Sequence, residues 1–341
     1  MQAMLIDLHR WRQAVALIAL GLSFQAGLAQ NSRDPFPVQV NDKWGFIDSA
    51  GEMVIPAEYD FVWGFTDGLA AAWKGQQAGY IDRSGKFIIP MQFQYARGFS
   101  QGLAEVELGE DWGYIDKQGN FAVSPRYAQV QSFSEGLAAV QNGRGLWGYV
   151  DMKGVEKIPP QFRLAWGFSE SVAAVYRDDQ CGFINATGAV VIPFQFSGCV
   201  GMKDGLGAVR VDGKWGFINS RGEFVITPRF EDAELFFEGL AAVEQNGKWG
   251  FIDRSCEFAI PPQFEYSRVE PTLTQFSEGL AGVTKDGKFG YIDKHGEFVI
   301  QPTFHKGSSF KDGFASVCDS EHCGYIDRSG RKIWPRDSTK K

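Results

Sequence analysis

Histidine is scarce in this sequence, and two of the short motifs that mark enzymes are missing. Only four histidines occur among 341 residues, and three of them, His295, His305 and His322, lie beyond the first thirty. No pair has the HExxH spacing of a metalloprotease, and no G-x-x-x-x-G-K-[ST] phosphate loop occurs. The sequence therefore predicts a protein that is not an enzyme and needs no cofactor or metal.

Long apolar stretches are also lacking, apart from one run near the start. Arg10 and Arg12 precede the run at residues 14–24, and small residues follow it as far as Ala29. A transmembrane helix needs roughly 20 apolar residues, whereas a short run in this setting is typical of a secretory signal. We expect a signal peptide at 1–29, a linker at 30–36, and a secreted or periplasmic chain with no membrane span after signal cleavage.

Positive charge is in the minority. Residues 30–341 contain 32 lysines and arginines against 40 aspartates and glutamates, which makes the formal net charge −8. An acidic chain is repelled by phosphate backbones and anionic lipid surfaces. We therefore expect no nucleic-acid partner.

What the sequence has in abundance is one short phrase. The stretch DGKWGFIN at 212–219 returns in close copies along the chain. Successive glycines of the phrase are 34 or 35 residues apart, except for one step of 40, and they are Gly45, Gly79, Gly113, Gly148, Gly182, Gly216, Gly250, Gly290 and Gly324. Nine repeats predict a repeat architecture in which units bury their apolar faces against one another.

Each repeat is predicted to form strands. A Gly-Leu-Ala-Ala-Val strand, the Trp-Gly-Phe-Ile-Asp strand and a strand ending in proline follow one another, with an Asp-x-x-Gly turn before the last. Helices are disfavoured because every unit contains several glycines and at least one proline. Since the Trp-Gly strand is apolar on both faces, successive sheets should stack, with the repeated glycine leaving room for a ring of the neighbouring sheet.

The predicted fold is all-β. Nine tandem three-stranded antiparallel units at 37–335 are expected to form an open β-solenoid or superhelix, followed by a disordered tail at 336–341. A closed propeller-like ring is the alternative. The open form is favoured because nine units exceed the usual four to eight propeller blades.

These motifs resemble the WG-repeat family of bacterial proteins. The resemblance rests on Lys-Trp-Gly-Phe-Ile-Asp at 43–48 and 248–253, on Trp-Gly-Tyr-Ile-Asp at 112–116, and on the recurring Glu-Gly-Leu-Ala, and it covers residues 37–335. It implies an all-β array, commonly exported, with no shared activity and no catalytic residues to carry over. The tryptophan is replaced at Ala78, Cys181, Phe289 and Cys323.

The tryptophans fall into two groups. Those of the phrase alternate with other aromatic residues and are expected in the core, with the signature Trp44, Gly45, Trp112, Gly113, Trp147, Gly148, Trp215, Gly216, Trp249 and Gly250. Trp63 and Trp166 instead occupy a connector position that varies between repeats while its neighbours recur. Variable connector positions are where repeat proteins place recognition surfaces. The candidate binding surface is Trp63, Arg97, Gln131, Trp166 and, in the six-residue insertion, Arg268.

Five cysteines in an exported chain suggest disulfide bonds. Cys318 and Cys323 flank a four-residue turn and form the best candidate pair. Cys181 and Cys199 form a weaker candidate pair. Cys256 replaces the turn glycine of its repeat and is expected to be unpaired.

The sequence therefore predicts a non-catalytic exported scaffold that binds a protein or a cell-envelope component through variable connectors. Two alternatives stay open. Glycan or cell-wall binding requires Trp63 and Trp166 to be exposed. A hydrolase requires two carboxyl groups about 5–10 Å apart in one pocket.

Overall fold

A computed structural model describes residues 34–265, 275–320 and 322–335. These residues form 35 β-strands, and no helix occurs among them. The predicted signal peptide at 1–29 and tail at 336–341 lie outside the described residues, as does the candidate site residue Arg268. The described chain divides between Phe196 and Ser197 into an N-terminal and a C-terminal unit.

The N-terminal unit contains five sheets, which we call blades 1 to 5. Their strands are β1 Phe36–Val40, β2 Lys43–Ile47 and β3 Met53–Tyr59 in blade 1; β4 Phe61–Val62, β5 Ala70–Lys74, β6 Gln77–Ile81 and β7 Phe87–Phe93 in blade 2; β8 Tyr95–Ser100, β9 Leu103–Leu108, β10 Asp111–Ile115 and β11 Phe121–Tyr127 in blade 3; β12 Gln129–Val130, β13 Leu137–Gln141, β14 Trp147–Asp151 and β15 Glu156–Phe162 in blade 4; and β16 Leu164–Ala165, β17 Val172–Arg177, β18 Gln180–Asn185 and β19 Val190–Phe196 in blade 5.

The C-terminal unit contains blades 6 to 9. Their strands are β20 Gly198–Lys203, β21 Leu206–Val211, β22 Lys214–Asn219 and β23 Phe224–Phe230 in blade 6; β24 Asp232–Phe237, β25 Leu240–Gln245, β26 Lys248–Ile252 and β27 Phe258–Phe264 in blade 7; β28 Phe276–Ser277, β29 Leu280–Lys285, β30 Lys288–Ile292 and β31 Phe298–Phe304 in blade 8; and β32 Lys306–Gly307, β33 Phe314–Cys318, β34 Cys323–Asp327 and β35 Lys332–Trp334 in blade 9.

The prediction of an open solenoid of three-stranded units is wrong. Eight of the nine described sheets have four antiparallel strands in chain order, such as β8-β9-β10-β11, and blade 1 has three. The additional strand comes from the connector, where Tyr95 pairs with Glu107 and Phe99 with Ala104. In a solenoid, hydrogen-bonded sheets continue from one coil to the next, whereas here each sheet is complete within one repeat length. These are blades of the β-propeller type, the arrangement that the sequence analysis ranked second.

Facing blades bury the apolar residues of both faces of each sheet. Trp215 and Phe217 on β22 pack with Phe236 on β24 and with Ala241 on β25, and all four side chains are buried. The connector phenylalanine contacts the ring of the Trp-Gly strand in the preceding blade, as in the pair Phe217–Phe236 with centroids 5.0 Å apart. An isolated blade would therefore expose two apolar faces, which is why the repeats stabilise one another.

The role predicted for the repeated glycine is also wrong, because the atoms closest to it belong to its own sheet. A Cβ atom on Gly216 would lie 2.5 Å from the Ile226 carbonyl oxygen and 2.6 Å from the Pro228 nitrogen on β23. The register between β22 and β23 shifts between Trp215 and Phe217. The resulting bulge presses the backbone of the last strand onto the glycine, so no side chain fits there.

The turn aspartates have the structural role that the sequence suggests. The Asp253 carboxylate accepts hydrogen bonds from the backbone N–H of Ser255 at 2.9 Å and of Glu257 at 3.1 Å. The Ser255 hydroxyl, with these backbone bonds, lowers the pKa of Asp253. Among the described residues, no three acidic, histidine or cysteine side chains group as metal ligands.

The recurring Phe-Ser-Glu-Gly motif forms a clasp between consecutive blades. In blade 4, the Ser134 hydroxyl donates to the Phe168 carbonyl at 2.6 Å, and the Glu135 carboxylate accepts the Ser171 N–H at 2.9 Å. The same acceptor role belongs to Asp67, Gln101, Glu238 and Glu278. The motif therefore stabilises blade stacking.

Removal of one clasp should weaken the protein measurably. We expect Glu238→Ala to lower the free energy of unfolding by roughly 1 kcal/mol, because the Gly279 N–H loses its acceptor and the Lys294 ammonium keeps only the backbone carbonyl at 238. Glu238→Gln is the matched control, since Gln101 accepts the equivalent bond in blade 3. Guanidinium denaturation measures both variants, and equal stability of Glu238→Ala and the wild type would contradict the role of the clasp.

Candidate functional site

The variable connector position lies within the edge strand that begins a blade or directly after it, in blades 2 to 7 and in blade 9. Thr274, at this position in blade 8, lies outside the described residues. We call Trp63, Arg97, Gln131 and Trp166 of the N-terminal unit the connector row. All four side chains are half-buried, as are Val200, Glu234 and Ser308 at the same position in the C-terminal unit. Each precedes by two residues the buried connector Phe or Met. Each residue at this position is therefore anchored by a buried neighbour and partly exposed to solvent.

At Arg97, Gln131 and Trp166, tyrosines of the preceding blade hold the backbone of the connector row. The Tyr80 hydroxyl donates to the Arg97 carbonyl at 2.8 Å, and Tyr114 and Tyr149 donate to Gln131 and Trp166 at 2.7 Å. Burial raises the pKa of Tyr80 and Tyr114 well above the usual range, so both stay protonated donors. A fixed backbone thus carries side chains that differ from blade to blade.

Two members of the row bridge neighbouring blades. Arg97 places its guanidinium 4.9 Å from the Trp112 ring centroid and donates from Nη1 to the Val130 carbonyl at 3.3 Å. Gln131 donates from Nε2 to the Ala165 carbonyl at 2.8 Å. Because Ala165 adjoins Trp166, the structure brings Arg97, Gln131 and Trp166 into one continuous line.

The tryptophans of the row are less accessible than the glycan alternative requires. Both are half-buried. Trp63 packs against the core between blades 2 and 3 and meets the Phe61 ring at a centroid distance of 5.1 Å. Its indole nitrogen is buried without a hydrogen-bond partner among the described residues. Trp63 is therefore anchored at its nitrogen-bearing edge.

Aromatic contacts extend from Trp63 across blades 1 to 3. Phe61 contacts Trp44 and Trp73 at 5.8 and 5.4 Å, and Tyr95 contacts Trp73 and Trp112 at 5.7 and 5.6 Å. Phe61 is 36% exposed and Tyr95 37% exposed. Of the signature tryptophans, Trp147, Trp215 and Trp249 are buried, whereas Trp44 and Trp112 are half-buried members of this strip.

Glu105 is a residue that the sequence analysis missed. It is 1% exposed on β9, between blades 3 and 4, where the other full blades have alanine, glycine or serine. No well-formed hydrogen bond reaches either carboxylate oxygen from the described residues. Burial raises the pKa of Glu105, while the Arg97 guanidinium and the Ser132 hydroxyl act in the opposite direction. Comparison of Glu105 with Ala71 and Ala139 in the aligned repeats is the signal that would have found it.

Glu234, at the variable position of blade 7, is a second carboxyl group with a raised pKa. Burial and the neighbouring Asp232 raise the pKa of Glu234 to about 8. Part of Glu234 is nevertheless exposed to solvent, so the residue is half-buried rather than fully enclosed.

A G-x-S-x-G sequence, the spacing of a hydrolase nucleophile elbow, occurs at residues 98–102, and the sequence analysis overlooked it. The Ser100 hydroxyl donates to the Phe133 carbonyl at 2.9 Å as part of a clasp, and a strand follows the motif instead of a helix. A nucleophile elbow sits on a strand-to-helix turn. The motif is therefore a copy of the repeat.

The cysteines near the C-terminus are joined. Cys318 and Cys323 face each other across β33 and β34 and form a disulfide bond with a Cα–Cα distance of 3.9 Å. Cys181 and Cys199 are also disulfide-bonded. Cys256 is a free thiol, half-buried, with Sγ 2.8 Å from a guanidinium nitrogen of Arg229.

The repeat signature now has a physical explanation at each position, and a family model matches it. The model of the WG containing repeat matches residues 44–75, 79–110, 112–144, 147–181, 182–215, 215–249, 249–289 and 289–320. The chain belongs to the WG-containing repeat family. The resemblance stated from the sequence is thereby confirmed. No curated protein matches this WG-repeat chain.

Solved structures align with this WG-repeat protein at low sequence identity. A eukaryotic initiation factor aligns with a TM-score of 0.61 at 10% identity, covering 88% of this chain and 95% of the other. BamB from Moraxella catarrhalis aligns with a TM-score of 0.46 at 11% identity, covering 89% and 98%. At such identities the likeness concerns the fold alone. Among the described residues, no helix is both long enough and apolar enough to cross a bilayer.

Proposed function

We propose that this WG-repeat protein is an exported, non-catalytic scaffold that binds a protein or another cell-envelope component through its connector row. Export is proposed from the signal-like residues 1–29, and disulfide bonds are typical of oxidising compartments. The binding proposal rests on a contrast between the backbone and the side chains of the connector row. The carbonyls of Arg97, Gln131 and Trp166 are held in the same way by Tyr80, Tyr114 and Tyr149, while these three side chains differ in size, polarity and charge.

Packing does not account for that variation. A position dictated by the core would repeat, as the connector phenylalanine does two residues later. Recognition surfaces on repeat proteins combine a rigid backbone with side chains chosen for the ligand. Tryptophan and arginine, which occupy three of the four places in the row, are enriched among residues that dominate binding energy.

The test is capture from envelope extract by residues 30–341 carrying Trp63→Ser and Trp166→Gln. Ser308 and Gln131 occupy the same position in other blades, so both replacements suit the fold. We expect recovery of the bound component to fall at least fivefold, in line with the loss of two aromatic anchors.

The control carries Val54→Ser and Ile88→Ser, which replace exposed apolar residues on β3 and β7 of the same unit. It should recover the component at the wild-type level. Equal recovery by all three proteins would exclude the connector row as the binding surface.

A further inference from the structure

The hairpin between β9 and β10 of blade 3 differs in charge from its counterparts. In blades 6 and 7, the lysine before the signature tryptophan pairs with an acid of the following connector, as in Lys214–Glu231 at 3.8 Å and Lys248–Glu265 at 3.5 Å. Lys43 and Asp60 form the same pair in blade 1. Blade 3 has Asp111 in place of the lysine and Ala128 in place of the acid.

Three carboxylates are consequently left without an ion pair to any described residue. They are Glu107 at the end of β9, Glu110 in the turn and Asp111 at the start of β10. Glu107 is half-buried, and the other two are exposed. Unpaired like charges on one hairpin repel one another, so the arrangement costs stability that the paired hairpins retain.

Aromatic rings flank these carboxylates. Glu107 is the direct cross-strand partner of Tyr95 on β8 and of Trp112 on β10. Tyr95 is 37% exposed, and its ring lies 5.6 Å from that of Trp112. Acid and rings therefore form one surface, which we call the acidic aromatic patch: Tyr95, Glu107, Glu110, Asp111 and Trp112.

The buried Glu105 lies on the same strand as Glu107 of the patch. Glu105 and Glu107 are two residues apart on β9, so their side chains share one face of the sheet. Glu105 receives no well-formed hydrogen bond from the described residues, and Arg97 is the cation that acts on it. Arg97 already places a guanidinium over the Trp112 ring, so the exposed Tyr95 ring is the one left for a further cation.

We propose that the acidic aromatic patch binds a lysine- or arginine-containing segment of a protein partner. The proposal rests on the proposed function and specifies its ligand. The carboxylates attract the cationic groups, the Tyr95 ring holds them by cation–π contact, and the net negative charge of the chain steers their approach. A neutral glycan would desolvate three carboxylates without neutralising them, which makes it the less favourable occupant.

The experiment measures fluorescence anisotropy of a labelled octalysine peptide with residues 30–341. Two variants use residues that other blades carry at the same place: Asp111→Lys, as at Lys214, and Tyr95→Gln, as at Gln129. We expect Asp111→Lys to weaken binding at least tenfold and Tyr95→Gln at least fivefold. The wild-type affinity should fall as sodium chloride is raised from 0.05 to 0.3 M, a range chosen to shorten the screening length.

The matched control is Glu223→Lys in blade 6, because it makes the same charge change where blade 2 has Lys86. It should weaken octalysine binding less than twofold. Equal losses for Asp111→Lys and Glu223→Lys would overturn the patch in favour of net charge alone. If the protein bound tetra-N-acetylglucosamine through Tyr95 and did not bind octalysine, the ligand would be a glycan and the proposal of a cationic ligand would be overturned.

Failure of this inference is distinguishable from failure of the proposed function. Octalysine binding could be unchanged by Tyr95→Gln and Asp111→Lys while capture from envelope extract still depends on Trp63 and Trp166. Only the acidic aromatic patch would then be excluded.

Discussion

Replacement of Gly216 by alanine should unfold blade 6 at much lower denaturant than the wild type requires. The new Cβ atom would lie 2.5 Å from the Ile226 carbonyl oxygen and 2.6 Å from the Pro228 nitrogen, and both are backbone atoms that cannot rotate away. Relief requires separation of β22 from β23 at the bulge. We expect the free energy of unfolding to fall by about 3 kcal/mol, at the upper end for overpacked sites, as measured by guanidinium denaturation.

Gly201→Ala is the control in the same blade. A Cβ atom on Gly201 has no heavy atom within 4 Å, and its backbone does not adopt positive φ. Its stability should stay within about 0.5 kcal/mol of the wild type. If Gly201→Ala destabilised the protein as much as Gly216→Ala, crowding by the β23 backbone would not explain the repeated glycine.

Glu105→Ala is expected to stabilise the protein, in contrast to most core substitutions. The glutamate is 1% exposed and lacks a well-formed hydrogen bond, whereas alanine fills the equivalent place in most blades. Removal of a buried, poorly paired polar group should raise the free energy of unfolding at neutral pH by about 1–3 kcal/mol. Thermal or guanidinium unfolding of the two proteins measures the difference.

The pH dependence of this effect follows from the direction of the pKa shift. The folded-state pKa of Glu105 is raised above the ordinary 4.5, so the folded protein holds this proton more tightly than the unfolded chain. Wild-type stability therefore falls as pH rises from 4.5 through the folded-state pKa. The advantage of Glu105→Ala should be smallest below pH 4.5 and should grow toward neutrality.

Glu105→Gln serves as the isosteric control, because it removes the charge and keeps the size of the side chain. Its stability relative to Glu105→Ala should not change with pH. An advantage of Glu105→Ala that stays constant from pH 4 to pH 8 would show that folding does not shift the pKa of Glu105 and would refute the electrostatic cause.

Local sequence patterns predicted the central strands and turns well. Trp-Gly-Phe-Ile-Asp at 249–253 forms a strand and its turn residue, and Asp253 makes the side-chain bonds to the backbone that its position suggested. The connector strands were missed for two physical reasons. A bulge between Ala96 and Phe99 interrupts the alternation of β8, and β12 contains only Gln129 and Val130. Neither leaves the period of two that identifies a strand.

The candidate site could likewise be predicted only in part from the sequence. Trp63, Arg97, Gln131 and Trp166 could be selected from the sequence because they vary within a repeating frame. Their partners could not be, since the contact of Arg97 with Trp112 depends on strand register and its bond to Val130 on blade packing. The acidic aromatic patch likewise depends on cross-strand pairing, which places Glu107 between Tyr95 and Trp112.

The sequence by itself determined the family, the all-β class, the repeat length and the turn chemistry, because these depend on contacts between residues close in the chain. Only the tertiary structure decided that the connector becomes a strand, that the repeated glycine faces the backbone of its own sheet, and that Glu105 is enclosed without a well-formed hydrogen bond. Those outcomes depend on which strands pair and which blades face each other, and pairing between residues distant in the chain leaves no periodic signature in a single sequence.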